Sequence, residues 1–484
     1  NIVVKGNTIN NGSSGIYFTG TSTVNKTFNH LIDSNIISGM FQYGIYVNYT
    51  SKLTLSRNNI TVAAPVFSTS HGIYMGGSDS MYQIVNNKIL IKNTVGSTYG
   101  IWVTGSGGSQ FNDVKVMGND IVGGSGNTSI FYGIRITNSP FIYIANNTVA
   151  GNTTSTCYGI HIDNSSDGKY YNNSINTRAT SLTNGYGLYV LNSSATGIDI
   201  KNNIIANNGG GKAMFVTNPA GISSNYNMLY TSGTVLVQKG SPSATYPNLL
   251  TWFNASMQDR YSMGYKPAFI NDSVLLPNLN NDSVWAMHGR GTQIQGNNKD
   301  HDGNARPTTL IAGVPDLGAY EFYPNVAPTI LSAVPATPAP NTTQTFYYGT
   351  DTVMRITWKA NAPSSIALQR YSGVVPTGLA AANLDSMYFY VQSNIPGGGN
   401  YDYDAKLYYL DPWLGSIQSP SQLGIGRTSP SNAWIVGVNS RNEMAKRMLY
   451  DNDANYLDKF TGLFNPYAPP VIPDRDSSNR GRHF

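Results

Sequence analysis

The chain has 484 residues, of which 40% are hydrophobic and only 11% are charged, and its net charge is +5. This length predicts two or more domains, and no stretch is apolar enough to span a membrane. The positive charge is spread thinly and forms no basic run dense enough to predict nucleic-acid binding. The single cysteine, Cys157, excludes an intrachain disulfide and a cysteine-based metal site.

A motif of the form Tyr-Gly-Ile-Tyr-Val recurs about every 28 residues through the first half of the chain. Its copies contain the glycines Gly15, Gly44, Gly72, Gly100, Gly133, Gly159 and Gly187, and a degraded copy begins at Ala213. A second motif, Asn-x-Ile or a close variant, recurs with the same period and in phase with the first. Two independent motifs that share one period indicate a repeat architecture. The runs are short, β-branched or aromatic, and lack the period of 3.6 residues that marks a helix. We therefore predict an all-β fold, a right-handed parallel β-helix with one coil per repeat.

The asparagines of the second motif predict a line of side chains along one corner of the coils. They are Asn7, Asn35, Asn58, Asn87, Asn119, Asn147, Asn173 and Asn203. Asparagine tolerates a left-handed backbone at a corner. Stacked amides can also bond one another as a ladder.

Side chains on a strand alternate between its two faces, which sorts the residues of the Gly-Ile-x-Val motif. The predicted core contains Ile16, Ile45, Ile73, Ile101, Ile134, Ile160, Leu188 and Met214, with Phe18, Val47, Met75, Val103, Ile136, Ile162, Val190 and Val216. The x positions, which we call the outer column, point outward together with the glycines. They are Tyr17, Tyr46, Tyr74, Trp102, Arg135, His161, Tyr189 and Phe215.

Changes in composition predict the domain boundaries. Residues 1–240 form the coils, 241–322 a segment that closes the β-helix, 323–328 a linker, 329–465 an antiparallel, immunoglobulin-like β-sandwich, and 466–484 a flexible Pro-rich tail. Because the sequence opens inside a repeat, we expect it to be part of a longer protein.

The closing segment resembles the end of a family of secreted bacterial pectate-lyase-like β-helix proteins. The resemblance rests on Lys266–Phe269, on the Asp-Gly-x-x-Arg stretch within Asp300–Arg306, and on Asp-Leu-Gly-Ala-Tyr-Glu at Asp316–Glu321. It covers about two thirds of the chain together with the coils, and it implies a secreted β-helix without implying a particular reaction.

The predicted sandwich resembles domains of Bacteroidota-type surface proteins. The resemblance rests on Leu368–Tyr371, Met387–Val391, Tyr401–Leu410, Trp434 and Phe460–Gly462. It implies export, by the type IX route, to the outside of a bacterial cell. The sorting domain of that family is not recognisable after Phe460.

Acidic residues of the closing segment have two interpretations. Asp302, Asp316 and Glu321 can pair with arginine and help to close the end of the β-helix. Alternatively they bind calcium, because that ion prefers oxygen ligands. We predict the structural role, with no cofactor required and calcium as the alternative.

The strongest candidate for catalysis is the cluster of Arg135, His161 and Asp163. The first two occupy the outer column in successive coils, and Asp163 follows on the same face. An imidazole beside a carboxylate and a guanidinium can move a proton. The alternative is an ordinary surface ion pair. The coils contain no glutamate and lack the paired carboxylates that a glycoside hydrolase needs.

The aromatic residues of the outer column are the candidate ligand-binding residues, namely Tyr17, Tyr46, Tyr74, Trp102, Tyr189 and Phe215. Such rings stack on sugars, which predicts a non-catalytic adhesin or surface protein that binds a polysaccharide. They can also pack against another copy in a filament or surface layer, or simply stabilise the sheet. The remaining hypothesis is a polysaccharide lyase or glycoside hydrolase. All of these place the protein outside the cell, without nucleic acid or a membrane span.

Overall fold

The computed structural model describes residues 1–484 except 64–68, 79–80, 93–94, 110–113, 124–129, 154, 180–183, 193, 380–384, 396–399, 418–419, 438–439 and 466–484. The predicted Pro-rich tail at 466–484 therefore lies outside the described residues. The chain divides into two compact units. Unit 1 contains Asn1–Thr308 and Pro315–Val326, and unit 2 contains Thr309–Val314 and the chain from Ala327. Among the described residues, no helix is long and apolar enough to cross a membrane.

Unit 1 is a parallel β-helix, as predicted, and each coil contributes strands to three faces. Face A is a nine-stranded sheet of Val3–Lys5, Thr27–Asp33, Thr50–Ser56, Gln83–Val85, Val114–Met117, Ile142–Ala145, Lys169–Tyr171, Ile198–Lys201 and Ile222–Asn225. The two long strands Thr8–Thr19 and Ile36–Asn48 run through both face B and face C.

Beyond these long strands, faces B and C consist of separate strands. Face B contains Asn59–Val62, Lys88–Ile91, Asp120–Gly123, Thr148–Gly151, Ser174–Thr177, Ile204–Asn207 and Met228–Thr231. Face C contains Thr69–Gly76, Ser97–Thr104, Ile130–Thr137, Cys157–Asp163, Gly185–Leu191, Lys212–Val216 and Val237–Lys239, and Ala244–Tyr246 pairs antiparallel to the last of these.

The predicted core of the Gly-Ile-x-Val motif is confirmed. Ile45, Ile73 and Ile101 pair with one another in successive coils and are fully buried. Val47, Met75 and Val103 do the same two residues later, while Phe18 in the first coil is only partly buried. Equivalent positions therefore lie in lines along the β-helix, as the repeat requires.

The predicted asparagine ladder is also confirmed, and it extends one coil further, to Asn227. The side-chain Nδ2 of Asn119 donates to Oδ1 of Asn147 at 3.0 Å, and that of Asn147 donates to Asn173 at 2.9 Å. The same bond links every successive pair from Asn7 to Asn227. Each Oδ1 also accepts the backbone N–H of the preceding ladder residue, as Asn147 does from Asn119 at 2.9 Å.

The left-handed backbone at this corner belongs to a different residue from the one predicted. Positive φ occurs immediately before each ladder asparagine, at Gly6, Ser34, Arg57, Asn86, Gly118, Asn146, Asn172, Asn202 and Tyr226. The ladder asparagine follows this turn residue, and its side chain faces its counterparts inside the corner. The prediction had assigned both roles to one residue.

A second ladder, which the sequence analysis missed, lies at the corner between faces C and A. Ser78, Ser106, Ser139 and Ser165 are buried there, and each of the first three backbone N–H groups donates to the next Oγ at 2.9–3.1 Å. Each Oγ in turn donates to the carbonyl two residues earlier. A serine hydroxyl provides both roles, so two of the three corners are fixed by side-chain hydrogen bonds.

The last coil is covered by the residues that follow it. Helix Leu249–Ser256 brings the buried Trp252 to Asp259, where the indole Nε1 donates to Oδ2 at 2.9 Å. The other oxygen of Asp259 accepts from Asn227 and Ser262. The asparagine ladder thus ends on a buried carboxylate, which satisfies its final amide.

The segment with the Asp-Leu-Gly-Ala-Tyr-Glu motif runs along the corner between faces A and B. Its contacts are with the left-handed asparagines of several coils: Asn146 donates to the Lys299 carbonyl, Asn172 to the Asp316 carbonyl, and Asn202 to the Thr292 carbonyl. The side-chain amides of these left-handed asparagines, which are not part of the ladder, hold this segment along the outside of the corner. The assignment of 241–322 as the closing segment of the β-helix remains a prediction.

Unit 2 consists of antiparallel strands, as predicted. Eleven strands among the described residues form one continuous order: Leu331–Val334, Thr343–Tyr348, Asp351–Trp358, Ala367–Ser372, Phe389–Ser393, Asn400–Tyr408, Leu423–Thr428, Trp434–Val436, Ser440–Glu443, Met448–Tyr456 and Lys459–Phe464. Trp358, Phe389 and Trp413 are buried in it, and Phe389 stacks on Trp413 at 4.5 Å. Its arrangement as a sandwich remains a prediction.

We predict that replacing the mid-ladder residue Asn147 with Ala destabilises unit 1 by about 3 kcal/mol, because buried donors of Asn119 and the Val116 carbonyl lose their partners. Chemical denaturation measures this change. Hydrogen exchange of the Asn119 amide should accelerate as well.

The control for Asn147→Ala is Asn254→Ala, because Asn254 is exposed on the helix Leu249–Ser256. That variant should change stability by less than about 0.5 kcal/mol. Equal stabilities for the two variants would show that the ladder bonds contribute nothing.

Candidate functional site

The outer column forms a line on face C. Tyr46 pairs with Tyr74, and Tyr74 with Trp102. The line continues through Arg135, His161, Tyr189 and Phe215, and Tyr17 precedes Tyr46. One strand position thus supplies one side chain per coil.

A second column of rings, the inner column, lies beside the outer one and was missed by the sequence analysis. It consists of the residues that precede the motif glycines: Tyr43, His71, Tyr99, Tyr132, Tyr158 and Tyr186. Strict alternation places Tyr43 and Tyr46 on opposite faces, yet their rings touch edge to face at 4.9 Å. The alternation is interrupted at the glycine between them.

The motif glycine explains this interruption, and the prediction that it faces outward is wrong. A Cβ built on Gly44 would collide with the buried side chain of Ile60 and would lie 2.6 Å from the Gly72 carbonyl oxygen. The glycine therefore turns toward the core at a point where two coils approach closely. Only a residue without Cβ allows such an approach, and the step returns Tyr43 to the outer side.

The rings of both columns stack along the axis of the β-helix. Tyr17 and Tyr46 are parallel at 4.4 Å, and Tyr46 and Tyr74 at 4.9 Å. In the inner column, Tyr43–His71, His71–Tyr99 and Tyr99–Tyr132 stack at 4.8 Å. Most ring faces are therefore occupied by neighbouring rings, and the outer column presents mainly ring edges and hydroxyl groups to solvent.

Exposure varies along the outer column. Tyr17 is 61% exposed, and Tyr46, Tyr74, Trp102 and Tyr189 are half-buried. Phe215, also a predicted ligand-binding residue, is only 8% exposed, between Tyr189 at 4.2 Å and the next coil. The accessible aromatic residues of the column are therefore the four tyrosines and the tryptophan.

The hydroxyl groups of Tyr46, Tyr74 and Tyr189 stay protonated at neutral pH. Burial, with smaller contributions from the neighbouring tyrosines, raises the pKa of Tyr46 to about 12. Burial also raises the pKa of Tyr74 and of Tyr189. Each hydroxyl can thus donate one hydrogen bond and accept others.

The predicted cluster of Arg135, His161 and Asp163 is brought together on face C. The backbone position of Arg135 pairs with that of His161 in the next coil. The Nη2 atom of Arg135 lies 4.0 Å from Oδ2 of Asp163. The guanidinium also lies over the rings of Trp102 and Tyr132, with its carbon 4.9 Å and 5.0 Å from their centroids. Cation–π contacts of this kind stabilise a cation between rings.

His161 is poorly suited to proton transfer at neutral pH. Burial, with a smaller contribution from the Arg135 guanidinium, lowers the pKa of His161 to about 3. The imidazole stacks on Tyr189 at 5.0 Å and is 6% exposed. It is therefore a neutral ring within the column, and it cannot serve as a general acid near pH 7.

The acidic residues of the closing segment accept hydrogen bonds from the protein itself. Asp316 accepts from the backbone of Gly289 and Phe322 at 2.7 Å and 2.8 Å. Glu321 pairs with the buried guanidinium of Arg306, and Asp302 contacts His301 at 2.9 Å. Arg306 also donates to the Gly318 and Ala319 carbonyls.

This arrangement is a structural network that holds the segment along the corner. Among the described residues, no group of three His, Cys, Asp or Glu side chains is placed to hold a metal ion. Calcium binding by Asp302, Asp316 and Glu321 therefore has no geometric support there.

No protein-family model matches the sequence, and no curated protein matches it. One solved structure that is similar is the crystal structure of the Dettilon tailspike protein, with 10% identity and a TM-score of 0.26. The match covers 96% of this chain and 87% of that chain. A TM-score this low supports no conclusion about the site, and the resemblance to pectate-lyase-like proteins remains a prediction.

The buried histidine His71 predicts acid sensitivity. Burial lowers the pKa of His71 to about 3, against about 6.5 in the unfolded chain. Its stabilising contribution is therefore complete above pH 6.5 and is lost as the pH falls toward 3. His71→Tyr places at this position the residue type of the neighbouring positions Tyr43 and Tyr99. When the pH falls from about 7 to about 4.5, the free energy of unfolding of this variant should decrease by about 2 kcal/mol less than that of the parent.

Urea denaturation at the two pH values measures this difference. His161→Tyr should behave in the same way, because the pKa of His161 is also lowered to about 3. Identical pH dependence of the parent and both variants would contradict the assignment of neutral, buried imidazoles.

Proposed function

We propose that the protein is a non-catalytic extracellular surface protein, an adhesin or structural component, that binds a glycan along face C. The observation that carries this proposal is the continuous line of Tyr17, Tyr46, Tyr74 and Trp102 in adjacent coils. A repeating surface suits a repeating ligand. Successive coils lie about 4.8 Å apart, so a polysaccharide that runs parallel to the axis meets equivalent groups again and again.

The mode of binding differs from simple stacking of sugars on ring faces. Because Tyr46 lies between Tyr17 and Tyr74, its two faces are already covered. Binding therefore relies on the hydroxyl groups and ring edges, together with the exposed ring of Tyr17. A tyrosine edge combines an apolar surface with a hydrogen-bonding group, as sugar recognition requires.

The alternative function is a polysaccharide lyase or glycoside hydrolase that uses Arg135, His161 and Asp163. The proximity of these residues favours it, but their chemistry does not. Hydrolysis needs two carboxyl groups about 5–9.5 Å apart, and this cluster contains one. A neutral His161 could accept a proton, yet its low pKa makes it a weak base.

The location and assembly of the protein are also proposals. The scarcity of cysteine and the resemblance of the closing segment support a bacterial protein exported to the cell surface, and the resemblance of unit 2 supports the type IX route. Contact between two outer columns offers a route to a filament or surface layer. In that case the exposed ring of Tyr17 would pack against another copy.

We predict that Tyr46→Phe with Tyr74→Phe weakens glycan binding about thirtyfold, since each of the two hydrogen bonds removed contributes about 1 kcal/mol. The substitutions keep the stacked rings and remove only the hydroxyls. Glycan-array screening identifies the ligand, and titration calorimetry measures the change. The control is Tyr323→Phe, which removes an exposed hydroxyl elsewhere in unit 1.

Three results would contradict the proposed function. One is unchanged binding by the double variant. Another is concentration-dependent filaments of the parent, without glycan binding, that Tyr17→Ala abolishes. The last is release of unsaturated uronate or new reducing ends that His161→Ala abolishes, which would establish an enzyme.

A further inference from the structure

A cleft of about 650 Å³ lies outside face A, between its strands and the segment at 292–296. This volume is in the range of sites that hold small ligands. The described residues that line the cleft include three lysines and no carboxylate. In a chain with so few charged residues, this concentration of positive charge is unusual.

The strand pairing of face A determines where the lysines lie relative to one another. Lys115 pairs with Tyr143, and Tyr143 with Lys169, so the two lysines occupy the same position two coils apart. Their backbones are therefore about 10 Å apart. Lys169 in turn pairs with Asp199, and Lys201 follows two residues later on the same side of the strand.

One end of the cleft is ordered by Asp199. Its Oδ2 accepts from the Tyr171 hydroxyl at 2.6 Å and from the Lys201 ammonium at 2.9 Å. This carboxylate fixes the position of the Lys201 ammonium, and its single negative charge is smaller than the charge of the three lysines together. Lys115 is exposed at the other end, and the cleft as a whole keeps a positive charge.

We propose that this cleft binds an oligosaccharide that carries carboxylate or sulfate groups. The spacing between Lys115 and Lys169 is about the length of two sugar units, so each lysine can meet an anionic group on alternate sugars. Lysine serves here as a mobile point charge. On the other wall, Thr292 and Gln295 offer hydrogen-bonding groups to sugar hydroxyls.

The aromatic residues of the cleft favour a saccharide over single-stranded nucleic acid. Tyr143 and Tyr171 are 9% and 7% exposed and pack edge to face at 5.6 Å. These two rings therefore offer no open face on which a base could stack, which single-strand binding normally requires. The third ring of the cleft, Tyr226, stacks on Tyr261 at 5.6 Å. The cleft lies on face A, away from the outer column on face C, so this inference does not depend on the proposed function.

The test compares four probes of similar length on the full chain: a sulfated tetrasaccharide of heparin type, a galacturonate tetrasaccharide, neutral cellotetraose and a tetrathymidylate. One or both acidic saccharides should bind best, and their relative affinity distinguishes sulfate from carboxylate. Lys115→Gln with Lys169→Gln should weaken that binding about tenfold or more, and added salt should weaken binding by the parent.

The matched control is Lys52→Gln with Lys88→Gln, which removes the same charge from two exposed lysines that do not line the cleft. It should change affinity by less than about twofold. Lys115→Glu provides a second variant at an exposed position, and it should weaken binding further than Lys115→Gln. Thermal unfolding confirms that each variant is folded.

Separate variants keep the two sites distinguishable. Tyr46→Phe with Tyr74→Phe should leave binding of the acidic saccharide unchanged. The proposal would be overturned by equal binding of cellotetraose, by tighter binding of the tetrathymidylate, by equal loss in the lysine control, or by no binding of either acidic saccharide.

Discussion

The unbroken hydrogen bonds between ladder asparagines are the constraint on which the rest of unit 1 depends. Each buried amide donates to the next coil and accepts a backbone N–H from the preceding one. A slip of one residue in any coil would leave buried donors and acceptors without partners, at a cost of about 1–3 kcal/mol for each group. The ladder therefore fixes the register of the coils, and the register determines which side chains line up on every face.

A fixed register separates the interior of the coils from their surface. Ile45, Ile73 and Ile101 must remain apolar because they stack on one another inside. The neighbouring position on face C holds tyrosine, tryptophan, arginine and histidine in successive coils without any change in the strand pairing. The outward residue of one coil can thus change the chemistry of the surface while the core remains the same.

Much of the fold could be predicted from the sequence, because the core and the ladder are encoded by the same residue type in every repeat. The glycine step could not be predicted by alternation, since it arises from the close approach of Gly44 to the next coil. The inner column follows from that step, although the tyrosine before each glycine was visible in the motif itself. The path of the closing segment was also missed, because it depends on the outward amides of Asn146, Asn172 and Asn202, which resemble the ladder asparagines in sequence.

The lysines of the basic cleft are a further feature that could not be predicted from the sequence. Lys115, Lys169 and Lys201 are so far apart in sequence that no window along the chain contains a basic run. Stacking brings them together because they occupy nearly the same position in different coils. In a β-helix, the relevant charge density is therefore measured across the coils at a fixed strand position. A chain that is only weakly basic overall can then present a concentrated positive surface on one face, while face C is lined mainly by uncharged rings.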